Sequence, residues 1–213
     1  FLKTTSSVFF FFLTHIILPL CYSIVKVLTK KSKKSKIIPM KEELKQQMAE
    51  SIKNFRMPRY HELPNEGLYL EQTTQYINNV LAPLGCIELT SSMISNYVKK
   101  GIIAPPIKKL YYAEQIAYLF YIAIAKNVLS LEHIVKLRQM QEKSYLKEIA
   151  YDYLCEELEN VLFYIFGLKD KIDDIGRTKS DEKVLFREVI IAASNSIHLT
   201  SCFNALQTDE KES

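Results

Sequence analysis

The chain has 213 residues, 48% of them hydrophobic, with a net charge of +4, five glycines and no tryptophan. That length can bury one or two cores. The scarcity of glycine against many Tyr, Phe, Ile and Lys points to a mainly α protein and away from a turn-rich β one. The charge is graded, +7 over residues 1–39, +3 over 40–139 and −6 over 140–213, so contact with nucleic acid or an anionic membrane belongs upstream of the last third.

Residues 8–28 are largely apolar, with Phe9-Phe10-Phe11-Phe12 and Ile16-Ile17-Leu18. This run is long enough to cross a bilayer as a helix of ~30 Å. The lysines of 30–36 would then hold the rest of the chain in the cytoplasm. His15, Pro19 and Lys26 weaken the span, and no small-x-small cleavage site precedes the lysines. A second reading stays open: Phe and Lys runs are what T-rich and A-rich triplets encode, and a new composition begins at Met40. Residues 1–39 are therefore expected to be either a membrane anchor or upstream sequence, with translation starting at or near Met40.

Residues 41–54 read as a short polar lead-in helix, with Leu44, Met48 and Ile52 at four-residue spacing. Prolines 58 and 64 make the next segment extended. His61 and Glu62 lie there without a partner pattern, so no catalytic role is assigned to them. Residues 68–81 form the next helix, with Leu70, Thr73, Thr74, Ile77 and Leu81 on one face, ended by Pro83 and Gly85.

Thr90 is suited to cap a helix over residues 91–100, and Gly101 to end it in the left-handed conformation. Winding these residues at ~100° each gathers Met93, Ile94, Tyr97 and Val98 into one arc. Ser91, Ser92, Ser95, Asn96, Lys99 and Lys100 fill the other side. Short hydroxyls, an amide and two ammoniums are the chemistry of a DNA recognition helix, able to reach base edges and phosphates. On its own the pattern equally describes a wet surface helix. After it, Ile102-Ile103 and Leu110-Tyr111 bracket a proline-rich loop, suggesting a two-stranded wing whose Lys108 and Lys109 approach a phosphate backbone. A solvated loop is the plain alternative.

Residues 113–127 are apolar on nearly every side and belong at the centre of the fold. Ser130 caps a helix over 131–140 with Ile134 and Leu137 inward. Residues 144–168 carry Leu146, Ile149, Tyr153, Leu158, Val161 and Ile165 close to a heptad seam, with Glu148, Asp152, Glu156 and Glu159 outside. Residues 181–207 form a last helix packing through Val184, Leu185, Val189, Ala192, Ile197 and Leu199, and 208–213 should fray. Cys21, Cys86, Cys155 and Cys202 are far apart and read as free thiols in a reducing compartment. No nucleophile–base grouping, glycine-rich phosphate loop or metal-spaced cluster is present. Catalytic residues, cofactor and metal are therefore all expected to be absent.

Pro58-Arg59-Tyr60 with Glu62-Leu63-Pro64, Leu68-Tyr69-Leu70-Glu71-Gln72, Met93-Ile94-Ser95-Asn96-Tyr97-Val98-Lys99, Lys108-Lys109 with Tyr111, and Leu129-Ser130-Leu131-Glu132-His133-Ile134 occur in this order. Over residues 58–140 they resemble a bacterial family catalogued as a domain of unknown function, DUF1836. More broadly, residues 91–105 look like the recognition helix, glycine turn and proline of a MerR-type winged helix. Tyr111-Tyr112 resembles the aromatic pair closing its wing. The resemblance implies a DNA-binding domain followed by a long helix that pairs two subunits. The sequence departs from that type in lacking an arginine at 94–96 or in the wing.

The resulting expectation is a mainly α fold, a MerR-like winged helix-turn-helix followed by long C-terminal helices. Its parts are an N-terminal segment (1–39), a lead-in helix (40–57), a DNA-binding domain (58–140) and a helical dimerisation or effector region (141–213). The expected function is a dimeric cytoplasmic transcription regulator binding double-stranded DNA through Ser91, Ser92, Ser95, Asn96, Lys99, Lys100, Lys108 and Lys109. The homodimer would form through residues 144–168 and 181–207, with any effector left open. The alternatives are a protein-interaction module on the same scaffold, which the modest +3 of the central third also suits, and a membrane-tethered regulator if residues 8–28 are translated.

Overall fold

Seven α-helices account for most of the described residues in the computed structural model, which describes residues 40–85, 87–175 and 180–212. The N-terminal apolar run, the lysine run and Cys21 lie outside them, as does Cys86. Lys41–Ser213 forms one compact unit. In chain order the helices are α1 (Glu42–Ile52), α2 (Leu70–Leu81), α3 (Ser91–Lys99), α4 (Ala113–Ala125), α5 (Leu131–Ser144), α6 (Lys147–Ile165) and α7 (Asp181–Glu212). Short 3-10 turns occupy Tyr60–Glu62 and Ala82–Leu84.

The middle of the unit is α4. Every residue from Gln115 to Ala125 is buried, which follows from a stretch with no charge after Glu114: a helix apolar all round must be covered all round. Helices α2, α5, α6 and α7 do the covering. The lead-in helix α1 is more than a polar entry. Leu44, Met48 and Ile52 are buried, and α1 packs on α7.

The C-terminal helices differ most from the sequence expectation. Of the seam expected on α6, Leu158 and Val161 are fully buried within the chain's own core, while Leu146 and Ile149 stay exposed. Asp152 and Glu159 are not on an outer face, because both bind the segment before α2. The packing face of α7 is Phe186, Ile190, Ala193 and Ile197, spaced four, three and four residues apart as a helix stripe requires. Val184, Leu185 and Leu199, expected to pack, are exposed. At ~100° per residue, Leu185 falls about 110° from the middle of that stripe and Val184 and Leu199 about 150° from it. The helix also runs on through Glu212 instead of fraying at Thr208. Asp181–Gln207 is long and apolar enough to cross a membrane by length and composition, but its Phe186–Ile197 stripe is occupied by α4, α5 and α6.

No named strand occurs among the described residues. Two isolated antiparallel bridges, Leu68 with Tyr111 and Ile107 with Leu110, are the β pairing in this region. The expected pairing of Ile102-Ile103 with Leu110-Tyr111 is not formed. The N–H groups of Ile102 and Ile103 turn back to the Tyr97 carbonyl, at 2.9 and 3.4 Å, and close the end of α3. Pro105 and Pro106, which carry no N–H, follow at once and prevent a ladder.

Candidate nucleic-acid interface

Helix α3 forms as its sequence dictates. Thr90 accepts a hydrogen bond from the Met93 N–H at 3.1 Å, and Gly101 adopts φ +67° just past the last turn. Ile94 and Tyr97 are buried, Met93 and Val98 half-buried. Burying the first two alone stabilises the docking by roughly 1.5–3 kcal/mol each. Ser92, Ser95, Asn96 and Lys99 span about 100° of the opposite side. Ser92, Asn96 and Lys99 are exposed and Ser95 half-buried. Lys100 is exposed at the C-cap. Among the described residues the side chains of Ser92, Asn96, Lys99 and Lys100 make no hydrogen bond or ion pair. Ser91 is different: its hydroxyl lies 3.1 Å from that of Thr74 and so ties α3 to α2.

What orients α3 is one amide that the sequence reading passed over. Asn78 of α2 donates from Nδ2 to the Leu89 carbonyl at 2.8 Å and accepts at Oδ1 from the Leu89 N–H at 2.9 Å. One side chain thus satisfies both backbone groups of the residue that leads into the α3 cap. Behind the same connector, Lys126, the residue that caps the end of α4, donates to the Glu88 carbonyl at 2.5 Å. The signal for Asn78 was its residue type, since an asparagine inside a periodic helix gains little there unless its amide is used elsewhere.

The loop after α3 is fixed in the same way. Gln115, buried at the start of α4, donates from Nε2 to the carbonyls of Ala104 and Pro105, both at 3.0 Å, and accepts from the Tyr112 N–H at 2.9 Å. Lys108 and Lys109 are the two central residues of a tight turn. The Ile107 N–H and Leu110 carbonyl are 3.0 Å apart, and the Leu110 N–H and Ile107 carbonyl 2.9 Å. Both lysines have positive φ, 50° and 69°, as in the type I′ turns that ordinarily take Asn-Gly. An L-residue in that region costs roughly 1–2 kcal/mol. Both ammoniums are exposed, and neither forms a hydrogen bond or ion pair among the described residues. Gly67, φ +77°, passes beneath the turn. A Cβ there would meet Leu110 Cβ at 3.0 Å and the Tyr112 ring at 3.1 Å.

Among the described residues, seven of the eight residues expected to contact DNA, on α3 and on the tight turn, make no side-chain hydrogen bond or ion pair, and Ser91 is engaged with Thr74. No hydrogen bond or ion pair joins the turn's lysines to α3.

On the far side, Arg59 makes a two-pronged ion pair with Glu159 of α6, with Nη1–Oε1 and Nη2–Oε2 both 2.8 Å. Glu159 also accepts from the Met57 N–H at 2.8 Å, and Asp152 from the Tyr60 N–H at 2.7 Å. The Glu159 carboxylate pushes the Arg59 guanidinium further above its already high pKa. Glu62 is held by Arg56 and the Arg59 N–H, which lower its pKa below the usual carboxylate range. It serves as a structural anchor, and His61 is exposed beside it. Cys155 is buried, its thiol pushed up to about 12 by burial, as suits a packing residue. No group of three or more His, Cys, Asp or Glu is poised to hold a metal among the described residues.

Pro58-Arg59-Tyr60 opens a segment that has a family counterpart. Residues 58–157 match the family model of a domain of unknown function (DUF1836). The match supports the family expected from the sequence and extends past residue 140 into α6, so that Asp152 falls inside it. No curated protein and no solved structure matches the chain.

Proposed function

We propose that this DUF1836 chain is a DNA-binding transcription regulator whose α2–α3 pair and tight turn act as a MerR-like winged helix-turn-helix. The observation that carries the reading is on α3. Its inner side is sealed by Ile94 and Tyr97, while Ser92, Asn96, Lys99 and Lys100 are exposed and unspent among the described residues. An exposed amide and hydroxyl on a rigidly held helix suit base edges. Lys100, Lys108 and Lys109 suit phosphates. The two lysines in left-handed backbone support the same reading, because strain of this kind persists where a position serves function.

The regulator acts as a homodimer in the cytoplasm. Its contact lies on the part of 144–168 and 181–207 that remains uncovered: Leu146 and Ile149, with Leu185, Ala192, Leu199 and Leu206 of α7. The last four recur at seven-residue intervals and are exposed, the spacing of a helix-pairing seam. A two-fold dimer matches a palindromic site. Selection of bound duplexes from a random pool by the purified chain tests this reading. The expected result is an enriched inverted repeat whose binding weakens steeply with salt. Absence of any salt-sensitive enrichment would overturn it, and capture of a nuclease-resistant protein partner through α3 would favour a protein-interaction module.

A further inference from the structure

A cleft of about 550 Å³, counting its open mouth, lies where α4, α5, α6 and α7 meet. Its walls include Tyr118 and Tyr121 of α4, Arg138 of α5, Tyr151 of α6 and Phe186 of α7. A neighbouring recess of about 480 Å³ shares Gln141, Tyr145, Ala150 and Phe186 with it.

Three features of the cleft are unexplained by packing alone. The Tyr118 and Tyr121 rings are stacked, 6.2 Å apart and 29° from parallel, with Phe186 5.1 Å from Tyr121, so flat apolar walls line the space. The Tyr121 hydroxyl is buried without a hydrogen-bond partner among the described residues, on a side chain 5% exposed. Buried polar groups are ordinarily satisfied. Finally, the Arg138 guanidinium sits 4.0 Å over the Tyr118 ring. It donates one hydrogen bond, from Nε to Glu142 at 2.7 Å, while Glu114 lies at a looser 3.7 Å. Among the described residues its Nη groups meet only Glu114, at that looser distance, and the Tyr118 side chain, which leaves donors of the fork for a ligand.

We infer that this cleft binds a small aromatic carboxylic acid. The ring lies against Tyr118, Tyr121 and Phe186, the carboxylate meets the free edge of Arg138, and a polar substituent on the ring reaches the Tyr121 hydroxyl. A planar guanidinium fork matches the two oxygens of a carboxylate, and an aryl carboxylate lies flat with its ring between the aromatic walls. An aromatic amine fits less well. The rim carboxylates of Glu114 and Glu142 are more exposed than Arg138, at 47% and 39% against 26%, and already hold Lys147 and Arg138. The inference is independent of DNA binding, since neither α3 nor the lysine turn contributes to the cleft.

Calorimetric titration of the whole chain with 4-hydroxybenzoate, benzoate, phenol and tyramine at millimolar concentration tests it. Saturable binding is expected for the two acids, weaker binding for phenol, and none for tyramine. Tyr121→Phe should weaken 4-hydroxybenzoate by about five- to tenfold, the worth of one hydrogen bond, and leave benzoate unchanged. Its melting temperature should hold or rise, because the hydroxyl has no partner to lose. Arg138→Gln should erase the preference for benzoate over phenol. Failure of 4-hydroxybenzoate to saturate, tyramine binding as tightly as the acids, or an equal effect of Tyr121→Phe on both acids would each overturn the proposal.

Discussion

Asn78 and Leu89 are joined by two hydrogen bonds, at 2.8 and 2.9 Å, that imitate one rung of an antiparallel ladder between a side chain and a backbone. Leu89 is buried, so its N–H and carbonyl have no solvent to fall back on. Asn78→Ala should cost about 1–3 kcal/mol, the penalty for orphaned backbone groups. Asn78→Asp should fall between the two, because it keeps the acceptor for the Leu89 N–H and loses the donor. Urea unfolding monitored by tyrosine fluorescence measures both. Equal stability of all three proteins would show that the bracket contributes nothing.

The α3 side chains and the turn lysines should separate in their effects on DNA. Asn96→Ala is expected to relax base preference at one position, by about 1–3 kcal/mol. Lys108→Ala should weaken all duplexes alike and reduce the salt slope by about 1. Binding curves at several salt concentrations, on the selected site and on scrambled duplex, distinguish the two.

Replacing Lys108-Lys109 by Asn-Gly should pull stability and binding in opposite directions. The backbone at both positions already has positive φ, so Asn and Gly fit it with less strain. A gain of about 1–2 kcal/mol in unfolding free energy is expected together with weaker DNA binding. A variant that loses stability would argue against the strained turn.

Arg59 holds the segment before α2 to α6. Arg59→Ala leaves the Glu159 carboxylate facing the Met57 N–H alone. The loss should be about 2 kcal/mol, below the roughly 3–5 typical when a fully buried pair is broken, because solvent still reaches both partners. Arg59→Lys keeps the charge but loses the fork, and should recover only part of the loss. Chemical denaturation of the two variants orders them directly.

Glu157 is fully buried on α6, with Arg187 Nε donating to it at 2.8 Å. Burial holds its carboxyl above the ordinary value of 4.5, against the opposing pull of Arg187. The folded chain therefore binds this proton more tightly than the unfolded one, and stability falls as pH rises from about 4.5 through the raised value. Glu157→Gln keeps an acceptor for Arg187 and removes the buried charge. It should flatten that slope and match or exceed the parent in stability at neutral pH. Melting temperatures across pH 4 to 8 would show an unchanged slope if the reading is wrong.

Local chemistry was enough for the sequence to determine most helices. The Thr90 cap, the Gly101 stop, the Ser130 cap and the apolar periodicity of α2 and α4 each act within a few residues, so they hold whatever surrounds them. The same locality set the inner and outer sides of α3, because Ile94 and Tyr97 share an arc that only burial can satisfy. Tertiary structure decided what each outer side meets. Asp152 and Glu159 look like solvent-facing acids on a charged helix until the Met57–Tyr60 backbone arrives beside them. On α7 the apolar residues nearly encircle the helix, so periodicity could not choose between the Phe186–Ile197 stripe and the Leu185–Leu206 seam. Packing against α4, α5 and α6 made that choice. The wing shows the same limit from the other side. Apolar pairs at 102–103 and 110–111 permit a ribbon, but two prolines and the Gln115 amide, reaching back to the carbonyls of Ala104 and Pro105, draw the chain into a single tight turn.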